Sequence, residues 1–133
     1  MSQENMEVVR KAFDAFARDD MDGLLELVDE TVVVTQPHEV PGISGQQHGH
    51  SGVLEAFSIW PELWDDYRIE ILRVADAGDQ VVVTSNTRGR GKQSGVEVEM
   101  EFSFGFTLRN GKIVEFKIFL REDQALEAAG LSK

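Results

Sequence analysis

Two carboxylates, a histidine and a serine carry the chemistry this sequence could perform. Glu99, Glu101 and Ser103 alternate along residues 96–109, a run rich in β-formers, and His38 stands in a loop of glycines and prolines. A carboxylate enclosed by apolar groups has its charged form disfavoured, so its pKa rises and it can take and return a proton near neutrality. Enolisation, cyclisation and dehydration all need such a group. The competing reading puts both glutamates at an exposed strand end, in water or paired with Arg88 or Arg90. His38 follows a strand-like segment, where a neutral imidazole could act as base or acid. A solvated loop histidine is its bland alternative. Ser103 offers a hydroxyl and Gly105 room for a ligand, unless the two only let a helix come close. Phe57, Trp60 and Trp64 recur at helical spacing, as an aromatic pocket wall or as ordinary core.

Other chemistries lack their residues. The chain has no cysteine, which removes thiol nucleophiles, disulfides and Cys-ligated zinc. His48 and His50 form an HxH pair beside His38 and Glu39, but a glycine-rich loop gives no fixed frame, so no metal site is expected. No phosphate-binding loop, dinucleotide fingerprint, GxSxG or HExxH occurs, and no cofactor is expected. Arg88-Gly-Arg-Gly-Lys92 is the one basic run, and it reads as a hairpin end. Thirteen basic against 24 acidic residues leave a net charge of −11. That field repels phosphate backbones and anionic lipid, which argues against nucleic-acid and membrane partners. With 41% hydrophobic residues in 133, the chain can bury a core without a metal or disulfide staple. No stretch approaches the ~20 apolar residues of a membrane span. The expectation is a soluble, cytoplasmic single domain over residues 1–133.

The elements that must position these groups follow from periodicity. Met6, Val9, Phe13 and Phe16 have helical spacing, and so do Met21, Leu24, Leu25 and Val28 behind the potential cap Asp20. A strand is expected over 31–36, then a loop, then a helix from about residue 51 that Pro61 kinks or splits after Trp60. Strands are expected over 67–75, 80–90, 96–109 and 112–120, and a closing helix over 122–129. Asn110-Gly111 is the strongest hairpin signal in the chain. Helices first and an antiparallel meander afterwards make the fold α+β.

Unbroken pairing from that turn sets Arg109 against Lys112 and fixes two faces. One carries Phe102, Phe104, Phe106 and Phe119, the other Glu99, Glu101, Ser103, Phe116, Ile118 and Leu120. On this register the second face meets the helices and forms the pocket, with Phe57, Trp60, Trp64, Phe116 and Ile118 as walls and Glu99 buried among them. The phenylalanine row is left for a second copy of the chain, a homodimer interface. A bulge would swap part of this assignment.

Several local motifs in this order resemble the SnoaL-like branch of the nuclear transport factor 2-like, or ketosteroid-isomerase-like, superfamily. They are Glu4-Asn5 opening the helix VVRKAFDAFARDD, Gly49-x-x-Gly52-Val53, Asp76-Ala-Gly-Asp79, Thr107-Leu-Arg-Asn-Gly-Lys112-Ile, and the ending from Glu122 to Leu131. The resemblance implies a strongly curved antiparallel sheet wrapped round the N-terminal helices, a cone with an internal pocket, and homodimers packed through the outer face. It implies no single reaction, because the family holds isomerases, cyclases, dehydratases, epoxide hydrolases and pure binding proteins. The sequence also departs from its relatives. The catalytic Asp of ketosteroid isomerases falls at about Gln36 and their tyrosine at about Ala12 and Phe13. Phe104 and Arg121 replace a His and an Asp of many SnoaL-like proteins. Two functions stay open. One is a cofactor-independent isomerase, cyclase or dehydratase acting on a hydrophobic carbonyl compound through Glu99 and His38, with Glu101 and Ser103 against the substrate. The other is a non-catalytic module that binds a small hydrophobic ligand or dimerises.

Overall fold

Helix α1 (Ser2–Ala17) carries the first apolar stripe in the computed structural model, which describes residues 2–36 and 45–131 and the side chains of 3–35, 46–57 and 64–131. Asp20 caps α2 (Met21–Glu26), its Oδ1 accepting from the Gly23 amide at 3.0 Å. Then come β1 (Val28–Gln36), β2 (Gly45–His48), α3 (Gly49–Leu63), β3 (Trp64–Ala77), β4 (Gln80–Gly91), β5 (Glu97–Arg109), β6 (Lys112–Phe119) and α4 (Glu122–Ala128). The fold is α+β. No helix among the described residues is long and apolar enough to cross a membrane.

Two elements differ from the periodicity. β2 lies in what reads as loop and contains two glutamines; it forms by pairing with β1, Val33 against His48. Helix α3 is not split after Trp60 but runs through Pro61 to Leu63. Pro61 has no amide to give the preceding turn, and the helix stops two residues later. Trp64 therefore opens β3, paired with Gly91, instead of extending the aromatic row of α3.

The sheet order is β2-β1-β6-β5-β4-β3, antiparallel throughout except for the parallel β1–β6 pair. Register shifts interrupt β1–β6, β3–β4 and β5–β6. Such bulges bend a strand and raise its twist, which curves the sheet. Helices α1, α2 and α3 fill the inner face, and α4 packs on β4, β5 and β6 from the outer side.

One bulge decides which side chains face inward. Asn110 (φ 54°) and Gly111 (φ 77°) make the expected primed turn, and Leu108 faces Ile113. Thr107 then faces Glu115, leaving Val114 as the extra residue, and the shifted register continues to Ser103 against Phe119. A one-residue slip exchanges the faces. Phe102, Phe104, Phe106 and Leu108 consequently share the inner face with Ile113, Phe116 and Ile118, all buried. The expected homodimer surface is corrected accordingly. Its first three phenylalanines belong to the chain's own core, and Phe119 lines a crevice with Ala125 and Ala128 of α4.

Polar contacts fix the helices to the sheet. Asp76 Oδ1 accepts from the Gly78 amide at 2.9 Å, and the Gly78 carbonyl accepts from Asn5 Nδ2 at 3.1 Å, tying α1 to the β3–β4 turn. On the outer face Glu122 of α4 receives Arg73 Nε at 2.8 Å and Thr84 Oγ1 at 2.8 Å. Thr84 in turn lies 2.9 Å from the Ser103 hydroxyl.

Candidate functional site

The inner face and the helices line an apolar cavity of about 60 Å³. Helix α1 supplies Phe13 and Phe16, α3 supplies Val53 and Phe57, and the sheet supplies Val34, Phe104, Phe106 and Phe116. The rings hold one another in place. Phe104 stacks on Phe116 at 5.4 Å and 14°, while Phe13 meets Phe104 edge-on at 5.5 Å. Phe57 packs against Phe116 at 5.5 Å and against Phe16 at 5.2 Å. Such pairs add roughly 0.5–1.5 kcal/mol each beyond their buried area.

A second void of about 30 Å³ shares the walls Phe16, Phe57, Ile69 and Phe104 and adds Tyr67, Thr87, Phe102 and Ile118. Tyr67 also lines, with Phe16, Trp64 and Ile69, an outer groove of about 570 Å³ edged by Asp19, Asp65, Asp66, Arg68 and Lys92. Burial, with Asp19 close by, pushes the Tyr67 phenol up, so it stays a neutral donor at the mouth of the voids. The volume is small beside the ~300–1,000 Å³ of drug-sized sites and the ~150 Å³ of an apolar cavity that takes benzene, so a ligand is no larger than a single small ring and the walls must give to admit it.

The expected site residues separate into two groups. Phe57 and Phe116 line the main cavity, and Phe57 and Ile118 the second void. Trp64 lines the groove from the start of β3. His38 and the side chain of Trp60 lie outside the described residues. Glu99, Glu101 and Ser103 stand on the outer face, away from the cavity, because the Val114 bulge reverses the register that placed them inside.

Glu99 is exposed, and its carboxylate accepts from Asn86 Nδ2 at 2.6 Å and Arg88 Nε at 2.8 Å. Those hydrogen bonds and the Arg88 charge hold it below the usual carboxylate range, the reverse of the rise expected for a buried acid. Glu101 pairs with Arg73 at 3.4 Å, and Ser103 is buried beneath α4. The second and third histidines have structural surroundings: His48 is exposed on β2, and His50 Nε2 lies 2.8 Å from the Val28 carbonyl.

Phe13, Phe16, Phe104, Phe106 and Thr87 are among the wall residues that the sequence reading did not assign to the pocket. A signal for the phenylalanines exists. Ile113, Phe116 and Ile118 are spaced by three and then by two, and one extra residue at Val114 brings them onto one face with Phe102, Phe104 and Phe106.

The sequence profile of the SnoaL-like domain family matches residues 9–116. Among curated proteins none matches. Among solved structures, an NTF2-like protein of unknown function from Burkholderia pseudomallei is 25% identical, with a TM-score of 0.81 over 93% of this chain and 95% of that one. TerC, co-crystallised with polyporic acid, is 22% identical, with a TM-score of 0.80 over 96% and 98%. A protein from Jannaschia described as a SnoaL-like polyketide cyclase is 20% identical, with a TM-score of 0.79 over 99% and 94%. The structural likenesses show the fold. The profile runs from Val9, the first fully buried residue of α1, to Phe116 in the cavity wall, and the chain belongs to the SnoaL-like domain family.

Proposed function

We propose that the protein is a small-molecule-binding module whose ligand is an apolar ring compound seated between the helices and the inner sheet face. The observation that carries this reading is the lining of the main cavity, where every side chain among the described residues is aliphatic or aromatic. An acid–base enzyme needs a proton-transfer group within hydrogen-bond reach of its substrate. Glu99 and Glu101, the carboxylates suited to that role by sequence, face solvent on the other side of the sheet. A related fold crystallised with polyporic acid supports occupancy by a small molecule.

Titration with toluene, followed by the backbone amide NMR signals of the cavity walls, tests the proposal. Saturable shifts confined to residues such as Val53, Phe57 and Phe116 are expected. Ala12→Leu, which places extra carbon in the cavity, should abolish them while the rest of the spectrum stays folded. Wild-type protein whose wall amides do not move with toluene would refute the reading.

A further inference from the structure

Two polar atoms bordering these voids have no hydrogen-bond partner, Thr87 Oγ1 and Trp64 Nε1, and neither has Ser85 Oγ, two residues before Thr87 on β4. The residues Ser85 and Thr87 are 0% and 9% exposed. They are two positions apart on β4, hence on one face and about 6.6 Å apart along the strand. Thr87 walls the second void and, with Trp64 and Tyr67, a third of about 10 Å³. Trp64 lies close because position 89 is glycine. A Cβ there would stand 3.3 Å from Trp64 Cβ and 3.4 Å from its Cε3.

Buried polar groups in native proteins are satisfied with few exceptions, and each exception has a cause. The same strand shows how its hydroxyls behave where no void exists. Thr84, on the outer face, reaches both Ser103 and Glu122. Thr87 has equal means and no partner, and what it faces is empty space walled by Phe57, Phe102 and Phe104. No lysine, arginine or histidine lines the first two voids among the described residues, so the oxygen that meets this hydroxyl is uncharged.

We infer that Thr87 is the specificity-determining residue for a ring that reaches from the main cavity into the adjoining second void, its hydroxyl bonding a neutral hydroxyl or carbonyl oxygen on that ring. The Trp64 indole N–H, which borders the third void with Thr87, is the neighbouring polar group that can share that oxygen or a water bound to it. The site then discriminates against a hydrocarbon of the same shape. The inference rests on the ligand-binding reading above.

Phenol and toluene, matched in shape, separate the two ideas when titrated against wild type, Thr87→Val and Thr87→Ser with wall amides as the readout. Wild type should bind phenol about fivefold more tightly than toluene, the usual value of one buried hydrogen bond. Thr87→Val should bring the two affinities together while toluene binds as before, and Thr87→Ser should keep the preference. Equal affinities in wild type, or a preference that survives Thr87→Val, would overturn the assignment and leave the cavity reading standing. If neither compound moves the wall amides, the binding reading fails and takes this assignment with it.

Discussion

Thr87→Val is expected to stabilise the ligand-free protein. The substitution keeps the shape and the β-branch, and it replaces a hydroxyl that has lost water without gaining a partner. Removing that penalty should contribute about 1 kcal/mol, a rise of roughly 3 °C in the midpoint of a thermal melt. A variant that melts at or below the wild-type temperature would show that the hydroxyl is satisfied in solution. Residue identity alone gives little warning of such a group. Threonine is a favoured strand residue, and nothing in Ser85-Asn-Thr87 says which hydroxyl will find a partner. Carboxylates are conspicuous in a sequence by comparison, and Glu99 was legible as a chemical group. Its surroundings follow the competing reading, exposed and paired with Arg88, while Asn86 joins the pair only through the β4–β5 register.

At the level of elements, α4 is held to the outer face by one carboxylate. Glu122 receives Arg73 and Thr84, and these bonds, led by Arg73, hold its pKa below the usual range. The folded form therefore binds that proton less tightly than the unfolded chain. Its stabilisation is complete above the ordinary carboxylate pKa of about 4.3 and is lost as pH falls through the depressed folded value. Glu122→Gln should cost up to ~1 kcal/mol at neutral pH, because the pair is partly exposed. It should speed hydrogen exchange in α4 and flatten the acid limb of the stability curve. Exchange in α4 equal to that of wild type would show that Val82, Phe119 and Ala125 hold the helix unaided. Most of these elements could be read from the sequence: α1, α2, β4, β5, β6 and α4 fall within a residue or two of their periodic patterns. β2 could not, since Gln46 and Gln47 have no strand preference and depend on β1 for pairing. The Asp76-Ala-Gly-Asp79 turn was legible as a turn, but its use as the acceptor for Asn5 requires the folded chain.

For the molecule as a whole, the difference between an enclosed aromatic cavity and an exposed one comes from a single unpaired residue. Local rules gave the β5–β6 hairpin and its turn correctly, yet inside and outside depend on Val114, whose effect appears only when both strands are laid together. A strand can be thought of as text read in steps of two, and the bulge as an inserted letter that shifts the frame of everything after it. Exchanging the letter should matter little: Val114→Ala keeps the frame and is expected to fold cooperatively. Removing it should leave the message readable. Deletion of Val114 keeps Glu115 opposite Thr107 and Phe116 opposite Phe106, so the same side chains face the core and only the local bend is lost. Deletion of Lys117, where no spare residue absorbs the loss, should instead turn Ile118 outward. Cooperative unfolding kept without Val114 and weakened without Lys117 is the expected pair of results; a Val114 deletion that fails to fold would show that the bend itself, and not the frame, is what the fold needs. The spare residue is thus the one place in this hairpin where the chain should tolerate a change of length.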